Sequence, residues 1–105
     1  MSSKWIDVAA TESLAESTPL AVEAEGEPIV LVRCAGALYA VEDRCTHDGE
    51  SLAGAEIEQC EIVCPRHFSH FDLKSGEALS PPAYEPLRVY AVREENGRVL
   101  VEVPE

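Results

Sequence analysis

The apolar positions fall in short runs that alternate with period two or stay unbroken for a few residues, and no segment sustains a 3.6-residue repeat. KWIDVA (4–9) predicts a first strand. TESLAES (11–17), opening on the cap-like Thr11, predicts one helical turn, and PLAVEA (19–24) a weakly alternating strand. Ile29-Val30-Leu31-Val32 is continuous, which predicts a strand covered on both faces, followed by a second strand after the hairpin signal Ala35-Gly36. The clearest local signal is LRVYAVREENGRVLVEV (87–103), where Asn96-Gly97 sits between two β-rich runs as a type I′ turn requires. The pattern predicts an all-β domain, an antiparallel sandwich or small barrel.

Residues 43–82 break that pattern. They hold all three histidines, three of the seven prolines and only short strand signals at 55–58, 61–64 and 70–73. They predict a small lobe inserted into a β base formed by about 1–42 and 83–105. Some forty residues with so little apolar content would not hold their shape alone, and a metal site is a natural means of ordering them.

At 105 residues the chain is one domain, and 46% hydrophobic residues, with enough Val, Ile and Leu to offset chain entropy, disfavour disorder. The net charge of −12 disfavours nucleic acid or an anionic membrane surface as partner and favours a basic patch on another protein. The N-terminus has no signal-peptide pattern and no stretch approaches a membrane span, so a soluble cytoplasmic protein is expected. In that compartment Cys34, Cys45, Cys60 and Cys64 are expected as ligands or buried thiols rather than as disulfides.

Two mixed pairs stand out: Cys45-x-His47 in CTHDGE, and Cys64-x-x-His67 in CPRHFSHFD, with sixteen residues between them. Thiolates and imidazoles suit iron, zinc and copper. The pairs fit a structural Cys₂His₂ zinc site, a [2Fe–2S] cluster with two Cys on one iron and two His on the other, or unrelated core Cys and surface His. Zinc fingers typically use like pairs with a helix carrying the histidines, whereas here each loop supplies one of each. Mixed supply is what a dinuclear site needs if each loop is to grip both irons.

C-T-H at 45–47 and C-P-R-H at 64–67 resemble the two cluster-binding boxes of Rieske [2Fe–2S] proteins. Gly49, Phe71-Asp72, the Ser75-Gly76-Glu77 turn, and Pro81-Pro82-Ala83 before LRVYAV extend the resemblance over about residues 4–103. It implies one Rieske-type [2Fe–2S] cluster per chain, with Cys45 and Cys64 on the inner iron, His47 and His67 on the outer one, and Pro65 in the covering loop. Neutral imidazoles on one iron raise the potential relative to all-thiolate clusters.

High-potential Rieske proteins carry an additional Cys in each box, joined as a disulfide. Here Glu50 and Arg66 occupy those places, so that bridge cannot form. Their Ser and Tyr, which hydrogen-bond to sulfur, correspond to Ser69 and Phe71. The missing hydroxyl and the negative charge predict a potential toward the bottom of the Rieske range of about −150 to +300 mV. Phe68 stands where many members have Gly, which implies ordinary φ angles and a slightly different loop. His70 is expected as a surface residue beside the cluster, Cys34 as core, Cys60 as a turn or strand residue, and Arg44 and Arg66 as solvated charges near Glu42 and Asp43.

No nucleophile–base set, no nucleotide motif and no room for a catalytic iron domain is present, so the chain is expected not to be an enzyme itself. The resemblance implies a soluble one-electron carrier, like ferredoxin components that pass electrons from a flavin reductase to a terminal ring-hydroxylating oxygenase. The alternatives are a small subunit of a nitrite-reductase-like redox enzyme and a zinc-stabilised interaction module.

Overall fold

A computed structural model of the chain describes residues 2–46, 49–66 and 68–104. Ten strands follow one another: β1 (Ser3–Ala10), β2 (Leu20–Ala24), β3 (Glu27–Cys34), β4 (Ala37–Glu42), β5 (Glu56–Glu58), β6 (Glu61–Val63), β7 (His70–Asp72), β8 (Val89–Tyr90), β9 (Val92–Glu95) and β10 (Arg98–Pro104). The helical turn expected after the first strand is a short 3-10 turn, Thr11–Ser13. The strands form three antiparallel sheets, ordered β1-β10-β9, β2-β3-β4-β8 and β5-β6-β7. Among the described residues no helix is long and apolar enough to cross a membrane.

The middle sheet explains the unbroken apolar run. Ile29 and Leu31 of β3 point into one core, with Ala40, Tyr90, Val99, Val101 and Val103. Val30, Val32 and Cys34, alternating with them, point into a second core with Val41, Leu52, Ile62, Phe71 and Leu73. Successive side chains on a strand face opposite ways, so a strand between two layers must be apolar at every position. Ile29, Val30, Leu31 and Val32 are all fully buried. The first core joins the two larger sheets, and the second joins the middle sheet to the small β5-β6-β7 sheet.

Four two-residue turns with both φ positive link hairpins: Glu25-Gly26, Ala35-Gly36, Gln59-Cys60 and Asn96-Gly97. Two of these were legible as turn signals. Gln59-Cys60 was not, because neither residue favours the left-handed region, and the surrounding pairing of β5 with β6 imposes it.

The cysteine expectation requires correction. Cys34, at the end of β3, and Cys60, in the β5–β6 turn, form a disulfide with their Cα atoms 5.7 Å apart. Cys34 is a core residue as expected, but not as a thiol. β3 of the middle sheet and the β5–β6 turn of the small sheet bring the two residues to bonding distance, a tertiary juxtaposition across 26 positions that spacing does not reveal.

Candidate metal centre

The two boxes fold as loops with the same backbone pattern. In the first, the Cys45 N–H donates to the Glu50 carbonyl (2.8 Å) and the Gly49 N–H donates to the Cys45 carbonyl (2.8 Å). In the second, the Cys64 N–H donates to the Ser69 carbonyl and the Phe68 N–H to the Cys64 carbonyl, both at 2.9 Å. Each loop reverses at its fifth residue in the left-handed region, Gly49 at φ 77° and Phe68 at φ 60°. Phe68 therefore does not adopt the ordinary φ expected of it. The two closing bonds hold it there, and its ring stands 69% exposed.

Both loops root in the second core. Cys45 and Cys64 are fully buried in it and neither is in a disulfide. His47 and His67, the imidazole members of the two pairs, lie outside the described residues. Two buried, apolar-walled thiols on matched loops form a donor set that fits a thiolate-held inorganic centre. No group of three metal-binding side chains occurs among the described residues.

Several contacts hold the loops. Asp43 Oδ1 accepts from the Ser51 hydroxyl (2.8 Å) and the Leu52 N–H (2.6 Å). The Thr46 hydroxyl donates to the Glu85 carbonyl at 2.7 Å, tying the first loop to the segment after the cis Pro81-Pro82 bond. Fully buried Ser69 accepts the Ala83 N–H at 3.2 Å through Oγ, which ties the second loop to the same segment. That bond leaves the Ser69 hydroxyl proton to be donated elsewhere. Sequence reasoning missed both straps, since single hydroxyls near a Pro-rich segment have no distinguishing spacing.

At the places where a covalent bridge is impossible, the Arg66 guanidinium and the Glu50 carboxylate pair across the loops at 3.9 Å, both more than half exposed. Such a pair contributes at most about 1 kcal/mol, so the backbone bonds that close each loop dominate the loop geometry. Arg44 lies 3.8 Å from Glu42. His70, expected as a surface residue beside the cluster, is partly exposed, with its Nδ1 2.9 Å from Glu61 Oε1 on the neighbouring strand. Phe71 is fully buried in the same core as Cys45, Cys64 and Leu73. Glu56, Glu58, Pro65, Phe68 and His70 border a depression of about 350 Å³ beside Cys64.

The chain matches the Rieske [2Fe-2S] domain over residues 4–91. It is 34% identical over 103 residues to the ferredoxin component of the naphthalene 1,2-dioxygenase system of Pseudomonas putida, covering 98% of this chain and 99% of that one. The ferredoxin of carbazole 1,9a-dioxygenase from Nocardioides aromaticivorans IC177 superposes with a TM-score of 0.90 at 28% identity, covering 97% and 99% of the two chains. A chain from a complex of reduced oxygenase and oxidised ferredoxin in carbazole 1,9a-dioxygenase superposes with a TM-score of 0.86 at 33% identity, covering 92% and 91%. Matched loops, two buried cysteines and these likenesses lead to one conclusion: the chain belongs to the Rieske [2Fe-2S] domain family.

Proposed function

We propose that this chain is a cytoplasmic one-electron carrier that serves a flavin reductase and a terminal oxygenase. In this reading Cys45, His47, Cys64 and His67 hold one Rieske-type [2Fe–2S] cluster, and residues 43–82 act as the cluster-binding lobe on a base of 1–42 and 83–105. The carrying observation is the pair of matched loops that bury Cys45 and Cys64 in one core. When bound, the cluster supplies reversible one-electron chemistry.

The chain's own residues do the rest. Cys45 and Cys64 anchor from the dry side. Phe71 and Leu52 exclude water from that side. The Ser69 hydroxyl is available to donate toward sulfur, while Phe71 has no hydroxyl to offer. Phe68 and Tyr84, 69% and 85% exposed, flank the bonded pair Ser69–Ala83, so two aromatic rings project from strapped loops. Exposed aromatics on rigid backbone are efficient docking anchors. With a chain charge of −12, the fitting partner surface is apolar with a basic rim.

Iron, zinc and acid-labile sulfide analysis of aerobically purified protein tests the reading. Iron and sulfide in equal amounts, two of each per chain, are expected; zinc without sulfide overturns it.

A further inference from the structure

The Cys34–Cys60 bond lies outside the loops assigned above, yet it is mechanically close to them. Cys60 ends the β5–β6 turn, and the three residues of β6 lead directly from it to Cys64. One end of this short strand is thus fastened covalently to β3 of the middle sheet, and the other end bears a buried candidate ligand. Cys34 belongs to the same core as Cys45 and Cys64, and Cys60 packs against it. Opposite the bond, the Cys60 carbonyl accepts the Leu73 N–H at 3.2 Å. The small sheet has only three-residue strands, so few ladder bonds resist displacement once the staple opens.

We propose that Cys34–Cys60 is a thiol–disulfide exchange site: a dithiol reductant opens it, and opening loosens the grip of the β6 strand on the Cys64 loop. The consequence for the cluster rests on the reading above, as does the reducing compartment, where a disulfide is characteristically redox-responsive rather than permanent. Cys34 is 6% exposed and Cys60 is the more accessible partner, so Cys60 Sγ is the point of attack. The reductant's thiolate bonds to Cys60 Sγ, the bond to Cys34 breaks, and Cys34 leaves as a thiolate that takes up a proton. The reductant's second thiol then displaces Cys60 as a thiol and closes the reductant's own disulfide. Two electrons and two protons pass to the protein. Glu58 and Glu61 flank the turn and repel reductants that carry negative charge beyond the attacking thiolate, so a dithiol with no other anionic group is the fitting chemical class.

The test uses holoprotein and dithiothreitol as the probe, with alkylation and peptide mapping to assign thiols. Before treatment, Cys34 and Cys60 are expected as one disulfide-linked peptide pair; after it, both are alkylated. Cluster absorbance in the presence of an iron chelator is expected to decay several-fold faster once the bond is open. A Cys34→Ser/Cys60→Ser variant should decay at the fast rate from the start and show no response to dithiothreitol. Unlinked Cys34 and Cys60 in the untreated protein, or opening without any change in decay, overturns the proposal. Should the variant fail to fold, the wild-type comparison decides alone. Peptide mapping is independent of the cluster, so absent iron and sulfide with an intact bond refutes the carrier reading and not the bond.

Discussion

Gly49 and Phe68 occupy the same place in two matched loops, each donating its N–H to the carbonyl of the cysteine four residues earlier, each at positive φ. Glycine reaches that region freely, whereas a side chain costs about 1–2 kcal/mol there. Phe68 keeps the conformation and leaves its ring in solvent, which separates its contribution from packing.

Phe68→Gly should therefore leave stability within about 1 kcal/mol, because relief of the left-handed cost is offset by greater freedom of the unfolded chain. Its cluster spectrum should be unchanged. Electron delivery to the partner oxygenase should fall by about tenfold or more, as for loss of a central aromatic anchor. Thermal denaturation and stopped-flow oxidation of the reduced protein measure the two effects. A stability loss of several kcal/mol would assign Phe68 to packing instead.

His67→Ala and Cys64→Ser should each abolish the visible Rieske absorption. His70→Ala should retain it, since His70 pairs with Glu61 outside the loop that Cys64 and Ser69 close. Absorption spectra and iron content check this, and a native-like cluster in His67→Ala would refute the ligand assignment.

Gly76 is required by a close approach. A Cβ there would collide with the Leu87 carbonyl oxygen, and its own carbonyl accepts the Leu87 N–H at 2.7 Å. With φ at 79° the backbone also disfavours a side chain. Gly76→Ala should destabilise the protein by about 2 kcal/mol or more, measured by urea denaturation.

The reduction potential should lie toward the bottom of the range of about −150 to +300 mV for such clusters. Restoring a hydroxyl by Phe71→Tyr should raise it by on the order of 60 mV, a tenfold change for a one-electron couple. Redox titration of both proteins is the measurement. A wild-type value well above about +100 mV would contradict the reading of Phe71.

Arg98 grips Asp7 through Nε and Nη2 across the β1–β10 pair, and that hydrogen bonding holds the Asp7 carboxyl below the usual carboxylate range. A depressed folded-state pKa contributes stability above the unfolded pKa and loses it as pH falls through the folded one. The melting temperature of the wild type should thus fall more steeply on acidification than that of Asp7→Asn. Both sites are solvent-exposed, so the difference should shrink at high salt.

The sequence by itself determined most strands, because period-two and unbroken apolar runs report directly on one-sided and two-sided burial, as at Ile29–Val32 and β10. It also determined the two boxes, since Cys45-x-His47 and Cys64-x-x-His67 are local patterns of ligand type. Cys34 and Cys60 could be counted as a leftover even pair, but only packing of the middle sheet on the small sheet brings them together. Tertiary structure likewise decided the left-handed Phe68, against its residue preference, because the two hydrogen bonds closing its loop outweigh a local cost of about 1–2 kcal/mol. Local chemistry is written along the chain; long-range pairing and imposed backbone conformation depend on contacts between residues far apart in it.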